Sequence, residues 1–150
     1  MFRFRHVGAL VDGDLELVLV DEYPGDRDKG YLPAYKFKMT LVGTSQDVGL
    51  IELRVGSTDA LVRYGGHVGY GVAPAHRGHH YAARACRLLF PLARSHGLNP
   101  LWITCNPGNL ASRRTCELAG AELVEILDLP KDTDLAKRGE VQKCRYRIAL

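Results

Sequence analysis

The stretch from Gly65 to Ala83 restricts the folding of this 150-residue chain more than any other. It reads Gly-Gly-His-Val-Gly-Tyr-Gly-Val-Ala-Pro-Ala-His-Arg-Gly-His-His-Tyr-Ala-Ala, a glycine-rich strand that runs straight into a helix start. Gly66–Val72 has strand character, yet four glycines between 65 and 71 weaken strand pairing and mark a bulge or a backbone that something approaches closely. Pro74 ends the strand, and from Arg77 to His96 the residues Tyr81, Ala82, Ala85, Leu88, Leu89, Leu92 and Ala93 fall at helical spacing. Gly97 stops that helix, and Pro91 inside it predicts a kink, because the pyrrolidine ring removes a donor and crowds the preceding turn.

The flanking sequence supplies the rest of a sheet. Leu15–Val20 is an apolar strand, followed by the turn-rich segment 21–33, which reads as a surface flap. Tyr35–Val42 and Val48–Val55 alternate polar and apolar residues across Gly43–Asp47, as a half-buried hairpin does. Beyond the first helix, Leu101–Cys105 is a short strand, and Leu110–Ala119 a second helix with Asn109 as its N-cap and Gly120 as its stop. Glu122–Leu127 and Val141–Ala149 complete the set, joined by the charged loop 128–139. The expected fold is α+β: a mixed central sheet of about six to seven strands flanked by helices, in a single domain over 1–150.

Composition removes several function classes. No apolar run approaches the roughly 18 residues of a membrane span, and the basic start, Met1–Leu10, has no apolar core that would serve as a signal. The four cysteines, at 86, 105, 116 and 144, form neither a CxxC pair nor a zinc-knuckle spacing, so reduced, buried thiols in a cytoplasmic protein are expected. A net charge of +3 spread along the chain argues against nucleic acid and suits a small anionic ligand. No membrane or nucleic-acid partner is expected; oligomeric state is left open, a homodimer being the commonest soluble assembly.

Chemistry concentrates at Val72–Ala83. A helix start carries unpaired amide donors and the positive end of the peptide dipole, which together bind phosphate without a charged side chain. Small residues at Gly78, Ala82 and Ala83 let a pyrophosphate lie against the backbone, and Arg77 adds a cation. The spacing of His76, His79 and His80 is also that of a metal site, but no acidic or cysteine ligand lies nearby, and the phosphate reading accounts for the same residues, so no metal is expected.

This stretch resembles the pyrophosphate motif Arg/Gln-x-x-Gly-x-Gly/Ala of the GNAT superfamily of acyl-CoA N-acyltransferases. Arg77 and Ala82 match its ends, and His80 stands where the family has glycine. A second likeness lies in Asn106-Pro-Gly-Asn-Leu-Ala-Ser112, leading to Cys116-Glu-Leu-Ala-Gly120, which is similar to the family's second-helix segment. The resemblance implies acetyl-CoA as co-substrate. It places Val72, Arg77, Gly78, His79, His80, Tyr81 and Ala82 at the cofactor's phosphates and Asn106, Asn109 and Ser112 at its pantetheine arm. It also implies a primary amine, on a small molecule or peptide, approaching between the 21–33 flap and the 128–139 loop.

Transfer to an amine requires a base or water relay, donors for the thioester oxygen and an acid for the leaving thiolate. The resemblance puts the acid, often a tyrosine, at Cys116. Glu52, on a strand beside the expected thioester, and His67, with a pKa near neutrality, are the candidate bases. Amides near Gly69 and Tyr70 are the candidate carbonyl donors. Each side chain also has a structural reading: Cys116 as a small core residue, Glu52 as half of an ion pair, His67 as a cap on a sheet end. A CoA-binding module of the same fold without transferase activity is the alternative function.

Overall fold

A computed structural model describes residues 2–150. Five strands follow one another as an antiparallel meander: β1 (Leu10–Asp12), β2 (Leu15–Tyr23), β3 (Ala34–Leu41), β4 (Asp47–Arg54) and β5 (Val68–Val72). Helix α1 (Tyr81–Ser95) crosses this sheet and leads to β6 (Leu101–Cys105), helix α2 (Leu110–Leu118), β7 (Glu122–Asp128), a one-turn helix α3 (Asp134–Lys137) and β8 (Gln142–Ile148). The last three strands form a second antiparallel sheet in the order β6-β8-β7.

Alternation in the sequence decides which face of the meander is buried. Leu15, Leu17, Tyr35, Phe37, Met39, Ile51 and Leu53 point one way, against Tyr81, Ala85, Cys86, Leu89 and Ala93 of α1, and all are buried. The opposite face keeps Val18, Val20 and Leu50 exposed. Arg84 of α1 ties the β1–β2 turn to the helix through Asp12 (2.9 Å) and Asp14 (2.7 Å). Helix α1 continues through Pro91 to Ser95.

The α+β expectation holds, with two refinements. The sheet is divided: β5 and β6 share no ladder of their own, and every ladder among the described residues is antiparallel. Three elements escaped the sequence reading: β1, α3, and a wide turn at Leu61–Gly65. That turn is held by Thr104 Oγ1 donating to the Tyr64 carbonyl (2.7 Å) and by Arg145 donating to the Val62 carbonyl, contacts from β6 and β8 that no local pattern announces.

Where β5 and β6 diverge, one residue sets the geometry. Gly66 has φ 75° and ψ 160°, a region essentially closed to other residues, and a Cβ there would lie 3.0 Å from the Thr104 amide nitrogen. The close approach foreseen from the glycines is thus, at Gly66, an approach by the protein's own β6. Gly66→Ala is expected to cost about 3 kcal/mol, from backbone strain added to the clash. Urea unfolding would show it as a lowered midpoint at unchanged slope.

Candidate active site

The divergence of the two sheets leaves a gap beside β5, and the backbone on that side is free to bind. Arg54 N–H donates to the His67 carbonyl and Ala73 N–H to the Val48 carbonyl. Because bonded pairs alternate along an antiparallel ladder, the Gly69 and Gly71 amides face β4, while those of Tyr70 and Val72 face away from it. Of the amides near Gly69 and Tyr70 considered as carbonyl donors, that of Gly69 is taken up by β4, and those of Tyr70 and Val72 are the ones left facing the gap.

Beyond Val72 the chain makes a short 3₁₀ turn, Pro74–His76, and enters α1. Among the described residues, the amides of Gly78, His79, His80, Tyr81, Ala82 and Ala83 have no backbone acceptor, whereas Arg84 N–H begins the helix bonding by donating to the His80 carbonyl at 3.1 Å. His80 sits in the left-handed conformation, φ 59°, the only non-glycine residue with positive φ among those described. That conformation explains why glycine is the family residue here, and histidine tolerates it better than most. His80 is solvent-exposed and lines the cleft at this helix start.

These elements enclose a cleft of about 480 Å³ that brings together Val72, Arg77, Gly78, His79, His80, Tyr81, Ala82, Asn109 and Ser112. Nine of the ten residues assigned to the cofactor by resemblance thus line one cavity. The tenth, Asn106, lines a neighbouring cleft of about 780 Å³, where its buried Oδ1 has no hydrogen-bond partner. Asn109 caps α2, its Oδ1 accepting from Ser112 N–H at 3.1 Å. Of the two arginines that follow, Arg113 turns to Tyr146 Oη (3.1 Å), and Arg114, beside its partner Glu117, lines the smaller cleft.

The larger cleft is walled by Gly30, Tyr31 and Leu32 of the flap on one side and by Asp132–Leu135 of the charged loop on the other. The two segments expected to bracket an acceptor thus face the same cavity. Tyr70, Asn109 and Ser112 line both clefts, so the cavities meet there.

The three residues considered for acid–base roles stand differently. His67 is fully buried, and both ring nitrogens are engaged: Nδ1 accepts from Trp102 N–H (2.9 Å) and Nε2 donates to the Gly56 carbonyl (3.0 Å). Desolvation lowers its pKa to about 4, opposed by the bond to Gly56 and assisted by Arg54, so it is neutral with no free lone pair. It lines neither cleft, and its two bonds link β6 to the 56 loop. Glu52 pairs with Arg54 at 2.6 Å and lies on the outer face of the meander, in a third hollow with Lys36 and Leu50. The Cys116 thiol is fully buried, and a bond to Cys105, with burial second, pushes its pKa far up. Its Sγ lies 3.7 Å from Tyr70 Oη, and the same hydroxyl is 2.7 Å from Ser112 Oγ. Tyr70 was overlooked as a side chain because glycines surround it in the sequence; nothing local says that it spans from β5 to α2.

Among the described residues no group of three or more His, Cys, Asp or Glu side chains is placed to hold a metal ion. His76 instead meets Gln46 (3.1 Å), and His79 stacks on Tyr81.

A split antiparallel sheet whose gap receives a helix start and its free amides is the architecture of an acyl-CoA-dependent acetyltransferase. The sequence matches the model of the acetyltransferase (GNAT) domain over residues 20–122, and the chain belongs to that family. A search of curated proteins by sequence finds no match. Among solved structures the fold resembles RimL, a ribosomal L7/L12 α-N-protein acetyltransferase solved with coenzyme A, at TM-score 0.68 and 12% identity over 95% of this chain and 98% of that one. It also resembles a GNAT-family acetyltransferase from Bacillus anthracis (TM-score 0.60, 20% identity, 76% of this chain and 65% of that one). The microcin C7 self-immunity acetyltransferase MccE, solved with acetyl-CoA and AMP, gives TM-score 0.60 at 15% identity over 78% of this chain and 61% of that one. The chain thus spans less than two thirds of these last two and nearly the whole of RimL, and at such identities the likeness is one of fold. The family's co-substrate is acetyl-CoA.

Proposed function

We propose that this chain, acting as a single domain over 1–150, transfers the acetyl group of acetyl-CoA to a primary amine within a ternary complex. One observation carries the reading: the cleft at the start of α1 and the larger cleft under the flap join at Tyr70, Asn109 and Ser112. A cofactor entering by one and an amine by the other would meet at that junction. In this reading the amides of Gly78–Ala83, with Arg77, hold the pyrophosphate. The outward amide of Tyr70 polarises the thioester carbonyl, and that of Val72, one repeat further along the strand, bonds the pantetheine arm together with Asn109 and Ser112.

Asn106 Oδ1, buried and unpartnered in the lining of the larger cleft, is an acceptor available to an N–H on the amine side. With His67 locked and Glu52 paired, deprotonation of the amine falls to a water relay within the larger cleft. RimL is described as acting on a protein α-amine, so a peptide N-terminus is the first acceptor to try, ahead of free small amines. Among the described residues no helix is long and apolar enough to cross a membrane, and the four cysteines are unpaired, which supports placing the enzyme in a reducing cytoplasm.

Titration calorimetry with acetyl-CoA, dephospho-CoA and ATP tests the cofactor half. Micromolar binding that prefers the pantetheine-bearing ligands is expected. No binding at millimolar acetyl-CoA would remove the proposal. Thiol release on addition of peptides with free N-termini tests the transfer half; binding without release would leave a CoA-binding module.

A further inference from the structure

The leaving sulfur needs a proton donor, and the helix position that the sequence offered for it, Cys116, is enclosed. Its thiol is fully buried, lines neither cleft and is pushed towards the neutral form. Two of its contacts lie toward the cavities: the Cys105 thiol, itself bonded to it, and the Tyr70 phenol. Tyr70, from the middle of β5, reaches across the gap so that its hydroxyl lies 2.7 Å from Ser112 Oγ, 3.3 Å from the Ser112 carbonyl and 3.7 Å from Cys116 Sγ. It also lines both clefts and the hollow on the outer face of the meander.

From this geometry we infer that Tyr70 is the catalytic acid of the acetyl transfer, donating from its hydroxyl to the sulfur of CoA as that sulfur leaves. The inference rests on the reading of the two clefts given above. The balance of the step is simple. The amine nitrogen bonds to the thioester carbon and passes a proton to water in the larger cleft. The tetrahedral species collapses, the C–S bond breaks with its electron pair on sulfur, and the Tyr70 proton goes to that sulfur. Ser112 Oγ, in contact with the same hydroxyl, returns a proton from the cleft to the phenolate. The products are the amide and CoA thiol, with the protein unchanged.

Two features fit this assignment. The hydroxyl enters from the strand whose free amides face the gap, so donor and carbonyl-polarising groups share one rigid element. Burial, with the neighbouring Cys116 next in effect, raises the Tyr70 pKa, so the phenol keeps its proton until a developing thiolate draws on it.

Tyr70→Phe removes one oxygen and keeps the ring. In the full-length protein, with acetyl-CoA as donor and a short peptide bearing a free N-terminal serine as acceptor, kcat is expected to fall at least about 100-fold. The Kd for acetyl-CoA should move less than about 3-fold, since a neutral hydrogen bond to Ser112 contributes little net. A second measurement needs no acceptor: ultraviolet titration of the thiol of bound CoA, taken as a difference against the CoA-free protein. A hydroxyl donating to sulfur stabilises the thiolate, so the Phe variant should raise that thiol's acid constant midpoint by about one to two pH units. A Phe variant with full kcat, or an unmoved thiol titration, overturns the assignment. So does loss of Kd alone, which would make Tyr70 a strut between β5 and α2, or a rate loss that follows Cys116→Ala instead. Absence of any thiol release from the wild-type protein would sink the function proposed above along with this inference; normal release in Tyr70→Phe would sink the inference alone.

Discussion

Placing a carboxylate on the first turn of α1, as in Ala82→Glu, is expected to weaken CoA binding on the order of 100-fold while the protein still folds. Ala82 is the second residue of the helix and lines the smaller cleft, next to amides that have no backbone acceptor. An acidic side chain suits a helix N-terminus, because it satisfies those donors and meets the positive end of the dipole. By the same token it takes the place of a phosphate. A like charge about 5 Å from a pyrophosphate oxygen, at an effective dielectric of about 20, costs about 3 kcal/mol, which corresponds to roughly two orders of magnitude in Kd. Calorimetry with acetyl-CoA, alongside thermal unfolding, separates the outcomes: unchanged affinity in a folded variant would place the phosphates elsewhere. Ala82→Gln, similar in size but uncharged, should lose much less.

The second large effect concerns stability, not turnover. His67→Leu leaves the Trp102 amide and the Gly56 carbonyl buried without their partners, at 2.9 and 3.0 Å in the present fold. Two stranded polar groups of this kind are expected to cost about 3 kcal/mol together. The wild-type protein carries a pH signature of the same residue. In the unfolded chain His67 takes up a proton near 6.5, but in the folded protein only near 4, so between these values the unfolded state binds more protons. Stability therefore falls as pH drops from 6.5 to 4, by about 1.4 kcal/mol per unit and about 3 kcal/mol in all, and levels off below. His96, also lowered by burial first and by Arg5 second, acts with the same sign. Urea midpoints across this range should show the acid loss in wild type and a shallower loss in His67→Leu. A variant as stable as wild type, with activity lost instead, would restore His67 as the base.

The sequence was most informative where function depends on backbone. The strand, turn and helix start at 66–83 were legible because Gly78, Pro74 and the helical spacing after Tyr81 act locally, and the amides they free are a property of any helix start. Asn109 as a cap was legible for the same reason: its side chain bonds an amide three residues on. The side-chain chemistry was not. Glu52 and His67 looked reactive by type, yet Arg54 sits beside the one and Trp102, 35 positions away, fills the lone pair of the other. Tyr70 looked inert among glycines, and its partners lie 42 and 46 residues downstream.

The flap and the charged loop illustrate the same division. Each was recognisable as irregular from its Pro, Gly and Asp content, but their meeting over one cavity depends on how the β6-β8-β7 sheet swings away from the meander at Gly66. The sequence by itself determined the α+β class, the stop of α1 and the span and cap of α2, and the strand-to-helix turn at 72–83, because propensity, capping and turn chemistry are set by neighbours a few residues apart. Only the tertiary structure decided which titratable groups are free, which cavities join and which hydroxyl stands at the junction. Those depend on desolvation and on partners distant in the chain, and neither is a function of local sequence.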